Sequence, residues 1–150
     1  MTTVVDYRPP RIAQALVLAA VALNWLTPMH NWLLWQNGWV GTVLGVCGCV
    51  VMIAAWCQFR MDGVAICPTA HSSRLITYGI YGVTRNPMYL GMSAMLLGLA
   101  AVVGTLPFYL CALVFFSIMH WRFCPFEETK LTQAFGSGFI DYARRVRRWL

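Results

Sequence analysis

"NPMYLGMSAMLLGLAAVVGTLPFYLCALVFFSIMHW", residues 86–121, contains no Lys, Arg, Asp or Glu. A helix needs about 20 apolar residues to cross a bilayer, so this run is too long for one span, and "GTLP" at 104–107 divides it into two. A second uncharged run, 12–59, is interrupted by "TPMHNWLLWQNG" at 27–38, with Pro28, Asn31, Asn37 and Gly38. It reads as two further helices joined by a turn.

Composition supports lipid as the solvent. Apolar residues make up 59% of the chain and charged residues 11%, against roughly a quarter charged in ordinary soluble domains. The 150 residues suit a single domain. The expected fold class is therefore all-α: an integral membrane protein with four transmembrane helices at about 12–27, 38–59, 88–104 and 107–122. A loop at 60–87 joins helices two and three, and a tail follows at 123–150. The first apolar run lacks the short core and small-residue cleavage site of a signal peptide, so it reads as mature structure.

All eleven Lys and Arg residues fall on the face shared by the N-terminus, the 60–87 loop and the tail. By the positive-inside rule that face is cytoplasmic, with both termini and the active site on it, as in the inner or plasma membrane of a prokaryote. The opposite face carries His30 and a cluster of Trp25, Trp32, Trp35 and Trp39, as an interfacial belt would. The charge of +6 reads as a topology and anionic-lipid signal rather than a nucleic-acid footprint. The bilayer is the expected partner, nucleic acid is not, and a homo-oligomer is not indicated.

Cys47, Cys49, Cys57 and Cys111 lie in predicted spans, and Cys67 and Cys124 on the reducing side, which is no disulfide framework. The two thiols of "CGC" at 47–49 point about 200° apart on a helix, so no metal site is expected. Gly45, Gly48, Gly91 and Gly98 suit close helix packing.

Polar chemistry collects in two stretches and a tail. In "GVTRNPMYLG", 82–91, Asn86 is a favoured N-cap and Pro87 a favoured first helical residue. Arg85 snorkels to the headgroups or, beside the free N–H groups of the helix start, helps to bind an anion. In "RFCPFEETKLTQAFG", 122–136, Pro125 is read as ending helix four. Glu127 and Glu128 then open a short helix that Gly136 closes. Such carboxylates near a bilayer need a cation, for which a ligand ammonium, a sulfonium or Arg122 would serve. In the tail, Phe139, Tyr142, Val146 and Trp149 fall on one face among Arg144, Arg145, Arg147 and Arg148, the pattern of an amphipathic interfacial helix. Asp141 and Arg145 form an i,i+4 pair, and one inward arginine would be enough for a site. His71 reads as a surface residue, and His120, one turn above the Glu pair, either lines the pocket or takes a helix-capping or backbone-bonded role.

Taken in order, "GIYGVTRNPMYLG", "FEETKLTQAFG" and "FIDYARRVRRWL" resemble the isoprenylcysteine carboxyl methyltransferase and phospholipid N-methyltransferase superfamily of integral membrane enzymes. The resemblance covers about residues 60–150. It implies S-adenosylmethionine as cofactor and a lipid or other amphiphilic acceptor that arrives through the membrane. Carried over by position, Tyr81, Arg85, Asn86, Pro87, Tyr89 and Leu90 shape the cofactor pocket. Glu127 and Glu128 take its ammonium and ribose, and Arg145 matches an arginine near the acceptor. Arg145, Glu128 and Arg85 are thus the residues expected at the chemistry. Asn86 stands where the carboxyl methyltransferases usually have His and where the phospholipid enzymes show Asn-Pro-Met-Tyr. The spans that house a long isoprenoid in the eukaryotic enzymes are missing from the first half.

Two other classes compete. The sterol reductases, which bind NADPH, resemble the superfamily in their C-terminal half but use a larger scaffold. A non-enzymatic lipid- or partner-binding module accounts for the spans and the basic tail, but not for the Glu pair beside the start of helix three.

Overall fold

The computed structural model describes residues 9–26, 36–61 and 75–150. His30, Trp32, Trp35, Cys67, His71 and most of the turn and loop that hold them lie outside the described residues. Among the described residues the regular structure is helical: α1 (Pro9–Leu26), α2 (Gly38–Met61), a 3-10 turn (Gly79–Gly82), α3 (Pro87–Val103), α4 (Leu106–Ile118), a π turn (Met119–Phe123), α5 (Cys124–Phe135) and α6 (Ser137–Arg145). Gly38–Met61 and the continuous helix Leu106–Phe135 are long and apolar enough to cross a membrane, while Pro87–Val103 is apolar but has 17 residues.

Local chemistry sets the helix ends. The Asn37 side-chain oxygen accepts the Val40 N–H at 3.1 Å and so caps α2. Gly104 takes the left-handed conformation that ends α3, with φ 76° and its N–H on the Ala100 carbonyl. Thr105 is extended, and Pro107 sits in the first turn of α4, where its missing N–H costs nothing. The "GTLP" break is thus a tight helix–helix connection.

Pro125 does not end helix four. The chain stays helical through it because the preceding turn is π: the Cys124 N–H reaches back to the Met119 carbonyl. A proline ring clashes with the carbonyl four residues before it, here that of Trp121. The widened turn relieves that clash, and Pro125 joins the opening turn of α5.

α3 is central, packed on α2 along one side and on α4 along another, while α1 packs on α4. The α2–α3 seam is built from glycine. A Cβ on Gly41 would lie 2.6 Å from the Gly98 carbonyl, and one on Gly48 would lie 2.6 Å from the Gly91 carbonyl. Gly45, expected in the seam, lies in it through its backbone: a Cβ on Gly98 would come 2.6 Å from the Gly45 nitrogen, whereas a Cβ on Gly45 itself would point into open space. Gly41 joins the seam beside it. The main core is aromatic and sulfur-rich, with Phe115, Met119, Phe123 and Cys124 fully buried against Ala100 and Tyr89. The outward faces of α2 and α4 expose Val43, Val46, Val50, Leu110 and Leu113, and Trp25 and Trp39 are exposed at one end of the bundle.

The tail differs from the expected single amphipathic helix. α6 stops at Arg145, and Val146 is extended at φ −115°, ψ 129°. Phe139, Tyr142 and Val146 bury themselves against Leu75, Leu131 and Phe135, within the protein. Trp149 leaves that face and joins the main core cluster.

Candidate active site

The polar cluster forms where α3 begins, alongside α5 and beneath residues 146–150. Asn86 occupies the N-cap position of α3 and Pro87 the first helical one. The Asn86 side chain makes no cap bond. It is buried, and its Nδ2 donates to the Arg148 carbonyl at 3.1 Å. Thr84, also buried, donates its hydroxyl to the same carbonyl at 3.0 Å, and the Arg85 N–H donates to the Arg147 carbonyl at 3.0 Å. A short segment far along the chain thereby lies across the start of α3.

Glu128 sits at the centre. Arg148 grips it with two hydrogen bonds, Nε to Oε1 at 2.9 Å and Nη2 to Oε2 at 2.6 Å. Arg85 Nη1 lies 3.2 Å from Oε1 on the other side. A planar guanidinium meeting both carboxylate oxygens is the strong form of this contact. The bonds to Glu128 raise the Arg148 pKa above the usual guanidinium value, outweighing the opposing effect of burial. Glu127 accepts a short hydrogen bond from the Tyr89 hydroxyl on the first turn of α3. Adjacent carboxylates are thus divided: one is held by arginines and the other by a phenol.

Tyr81 closes the back of the cluster. It is buried, its ring meets Phe59 edge-on, and its carbonyl accepts the Tyr142 hydroxyl at 2.7 Å. Burial first and the Glu127 charge second raise the Tyr81 phenol well above its ordinary range. Tyr142 is pushed up to about 12 by burial, against the pull of Arg85. Both phenols are neutral hydrogen-bonding groups at physiological pH.

Of the residues expected from sequence, Tyr81, Arg85, Asn86, Pro87, Tyr89, Glu127 and Glu128 come together here. Leu90 is half-buried one step further on, its N–H closing the first α3 turn on the Asn86 carbonyl. Arg145 is not in the cluster: it is exposed, with Nε 3.3 Å from the Asp141 carbonyl. The family pattern assigns Arg145 by position alone; it is the last residue of α6, and the chain turns extended at Val146 and brings Arg148 inward instead. Arg148 is the inward arginine. Arg122 is exposed, and the cations that Glu128 takes are Arg85 and Arg148.

His120, in the π turn, is bonded to a side chain rather than the backbone: its Nδ1 accepts the Trp149 indole N–H at 2.9 Å. Thr84, Arg148 and Trp149 are the residues that sequence reasoning missed. Only the extended conformation of the chain after α6 selects them.

Arg85 Nε is buried and has no hydrogen-bond partner among the described residues. An unpaired guanidinium N–H in a buried place is costly, and an anionic group at the start of α3 would satisfy it while also meeting the helix N-terminus. The site therefore offers a donor for an anionic group close to Glu127, the carboxylate of the pair that the arginines leave to Tyr89.

An apolar helical scaffold with its charged groups gathered at one end defines a small membrane protein with a polar site at its rim. The chain belongs to the phospholipid methyltransferase family, whose model matches residues 32–138. It is 36% identical over 80 residues to protein-S-isoprenylcysteine O-methyltransferase B of Arabidopsis thaliana, covering 49% of this chain and 37% of that one. It is 37% identical over 84 residues to the probable protein-S-isoprenylcysteine O-methyltransferase of Oryza sativa subsp. indica, covering 51% and 40%. It is also 26% identical over 135 residues to the nickel-cobalt-cadmium resistance protein NccN of Alcaligenes xylosoxydans xylosoxydans, covering 87% and 59%. The chain spans less than two thirds of the length of each of these relatives. No solved structure matches it.

Proposed function

We propose that this protein transfers a methyl group from S-adenosylmethionine to an amphiphilic acceptor, a lipid amine, carboxylate or thiol, that reaches the site from the bilayer. The observation that carries this reading is the cluster at the start of α3. Arg85, Tyr89, Glu127 and Glu128 lie inside the segment that matches the phospholipid methyltransferase family and are drawn together from positions far apart in the chain.

When bound, the cofactor supplies a methyl carbon already activated by a sulfonium. The chain's own residues have the simpler work of holding and excluding. Arg85 Nε and the first turn of α3 receive the carboxylate, and Glu127, steadied by Tyr89, receives the ammonium or ribose. Alignment within about 3 Å of the acceptor and expulsion of water supply the rate. A nucleophilic side chain is not needed for such a displacement.

In this reading α1, α2, α3 and α4 all span the membrane. At 1.5 Å per residue, the 17 residues of α3 reach about 26 Å, close to the roughly 30 Å hydrocarbon core. Arg60, Arg85 and the tail arginines share the cytoplasmic face.

Calorimetric titration of the detergent-purified protein with S-adenosylmethionine and S-adenosylhomocysteine, with NADPH in parallel, tests this. Saturable binding of the sulfur compounds, weakened about tenfold or more by Glu127→Gln through loss of a charge-assisted contact, is the expected result. Folded protein that bound NADPH alone, or nothing, would overturn it in favour of a reductase or a non-catalytic module.

A further inference from the structure

Residues 146–150 tie together the start of α3, α5 and the π turn. Their backbone is pinned to the start of α3, where the Arg147 carbonyl accepts from Arg85 and the Arg148 carbonyl from Thr84 and Asn86. The Arg148 side chain is pinned to Glu128 on α5. Beyond it, Trp149 is fixed to the π turn and the helix before it. Its indole N–H bonds to His120 Nδ1 at 2.9 Å, and its ring lies 4.7 Å from that of Phe116, centroid to centroid. Phe116 and His120 are themselves stacked one turn apart, giving the indole a two-ring seat.

A segment held at one point can pivot, whereas one held on both sides of a residue has that residue's direction fixed. Arg148 is the residue so bracketed. Its backbone hydrogen bonds fix where it starts, and the seat of Trp149 fixes which way the chain leaves. Its guanidinium can then meet both Glu128 oxygens with little further ordering. Long side chains lose substantial rotamer entropy when pinned, and prior restraint of the backbone on both sides lowers that cost. Glu128, in turn, holds Arg85.

We propose that Trp149 is a positioning residue for the ligand site: seated on His120 and Phe116, it aims Arg148 at Glu128 and so keeps Arg85 oriented at the start of α3. The proposal rests on the methyltransferase reading for its ligand, but the seat itself can be tested without one.

Trp149→Phe keeps an aromatic ring and removes the N–H, and His120→Phe removes the acceptor and keeps a ring beside Phe116. Each raises the Kd for S-adenosylhomocysteine about fivefold, the worth of one neutral hydrogen bond, and the double variant is no worse than either single. In an Arg148→Lys background, which keeps the charge but not the two-point grip, Trp149→Phe has a smaller effect. In both single variants hydrogen exchange at the Arg85 amide, which donates to the Arg147 carbonyl, is faster than in the unaltered protein. Equal weakening by Trp149→Phe with and without Arg148→Lys, additive single effects, or unchanged Arg85 exchange would each overturn the proposal. If the unaltered protein binds neither sulfur compound, the functional reading falls instead, and exchange at Arg85 alone decides the role of Trp149.

Discussion

The α2–α3 seam and the cluster around Glu128 both involve α3 and are held in opposite ways. At the seam Gly41 and Gly48 meet Gly98 and Gly91 with no room for a methyl group, so shape and dispersion do the holding. Around Glu128, two arginines and a stretch of extended chain are joined by directional, charge-assisted bonds. Contacts of the first kind cannot be exchanged for others, because nothing but the facing backbone fits. Contacts of the second kind can trade one partner for another of like charge, which a site must do when a ligand enters. The helix is rigid where it is apolar and adaptable where it is charged.

The comparison is broken most severely at the seam. Gly48→Leu forces a side chain into a backbone carbonyl and should cost about 3 kcal/mol or more, seen as loss of thermal stability in detergent. Gly45→Ala has open space to fill and should stabilise by up to about 1 kcal/mol through helix propensity. A matching loss at both positions would show that the seam has been placed on the wrong face. Glu128→Gln comes next: it removes the charge that Arg85 and Arg148 share and should cost about 1.5–3 kcal/mol, with weakened ligand binding. Unlike the glycine change, its effect should shrink as salt is raised, because both partners are partly exposed. Tyr142→Phe removes the bond to the Tyr81 carbonyl and should lower stability by about 1 kcal/mol, measured by chemical denaturation. Asp141→Asn should change it by less than about 0.5 kcal/mol, since the 3.9 Å pair with Arg144 lies in solvent.

The apolar helices α1 to α4 were legible because long uncharged runs make them up and turn residues sit between them. Gly104 and Pro107 end and begin helices by local backbone preference, which needs no tertiary partner. Asn86 was legible only in part. Its position at the cap follows from its neighbour Pro87, but its side chain is drawn away to Arg148, 62 residues on. Pro125 misled because a proline stops an α-helix unless the turn before it widens, and the widening is set by packing around Met119 and Phe123, both fully buried. Arg145 and Arg148 could not be told apart by periodicity, since the period itself ends between them. The Glu pair was legible as a place needing cations, and which cations arrive depends on the route of the chain after Val146.

Gly41 facing Gly98 and Gly48 facing Gly91 recur at the same interval, running in opposite senses on the two helices. A slip of α3 along α2 by one helical turn, about 5.4 Å, would bring side chains onto backbone at both crossings together. The pair therefore acts as a depth gauge. Asn86 precedes Gly91 by little more than one turn, about 7–8 Å along the helix axis at 1.5 Å per residue. How far the charged end stands from the apolar middle is thus metered from inside the bundle by missing side chains, and the arginines at the rim inherit that level.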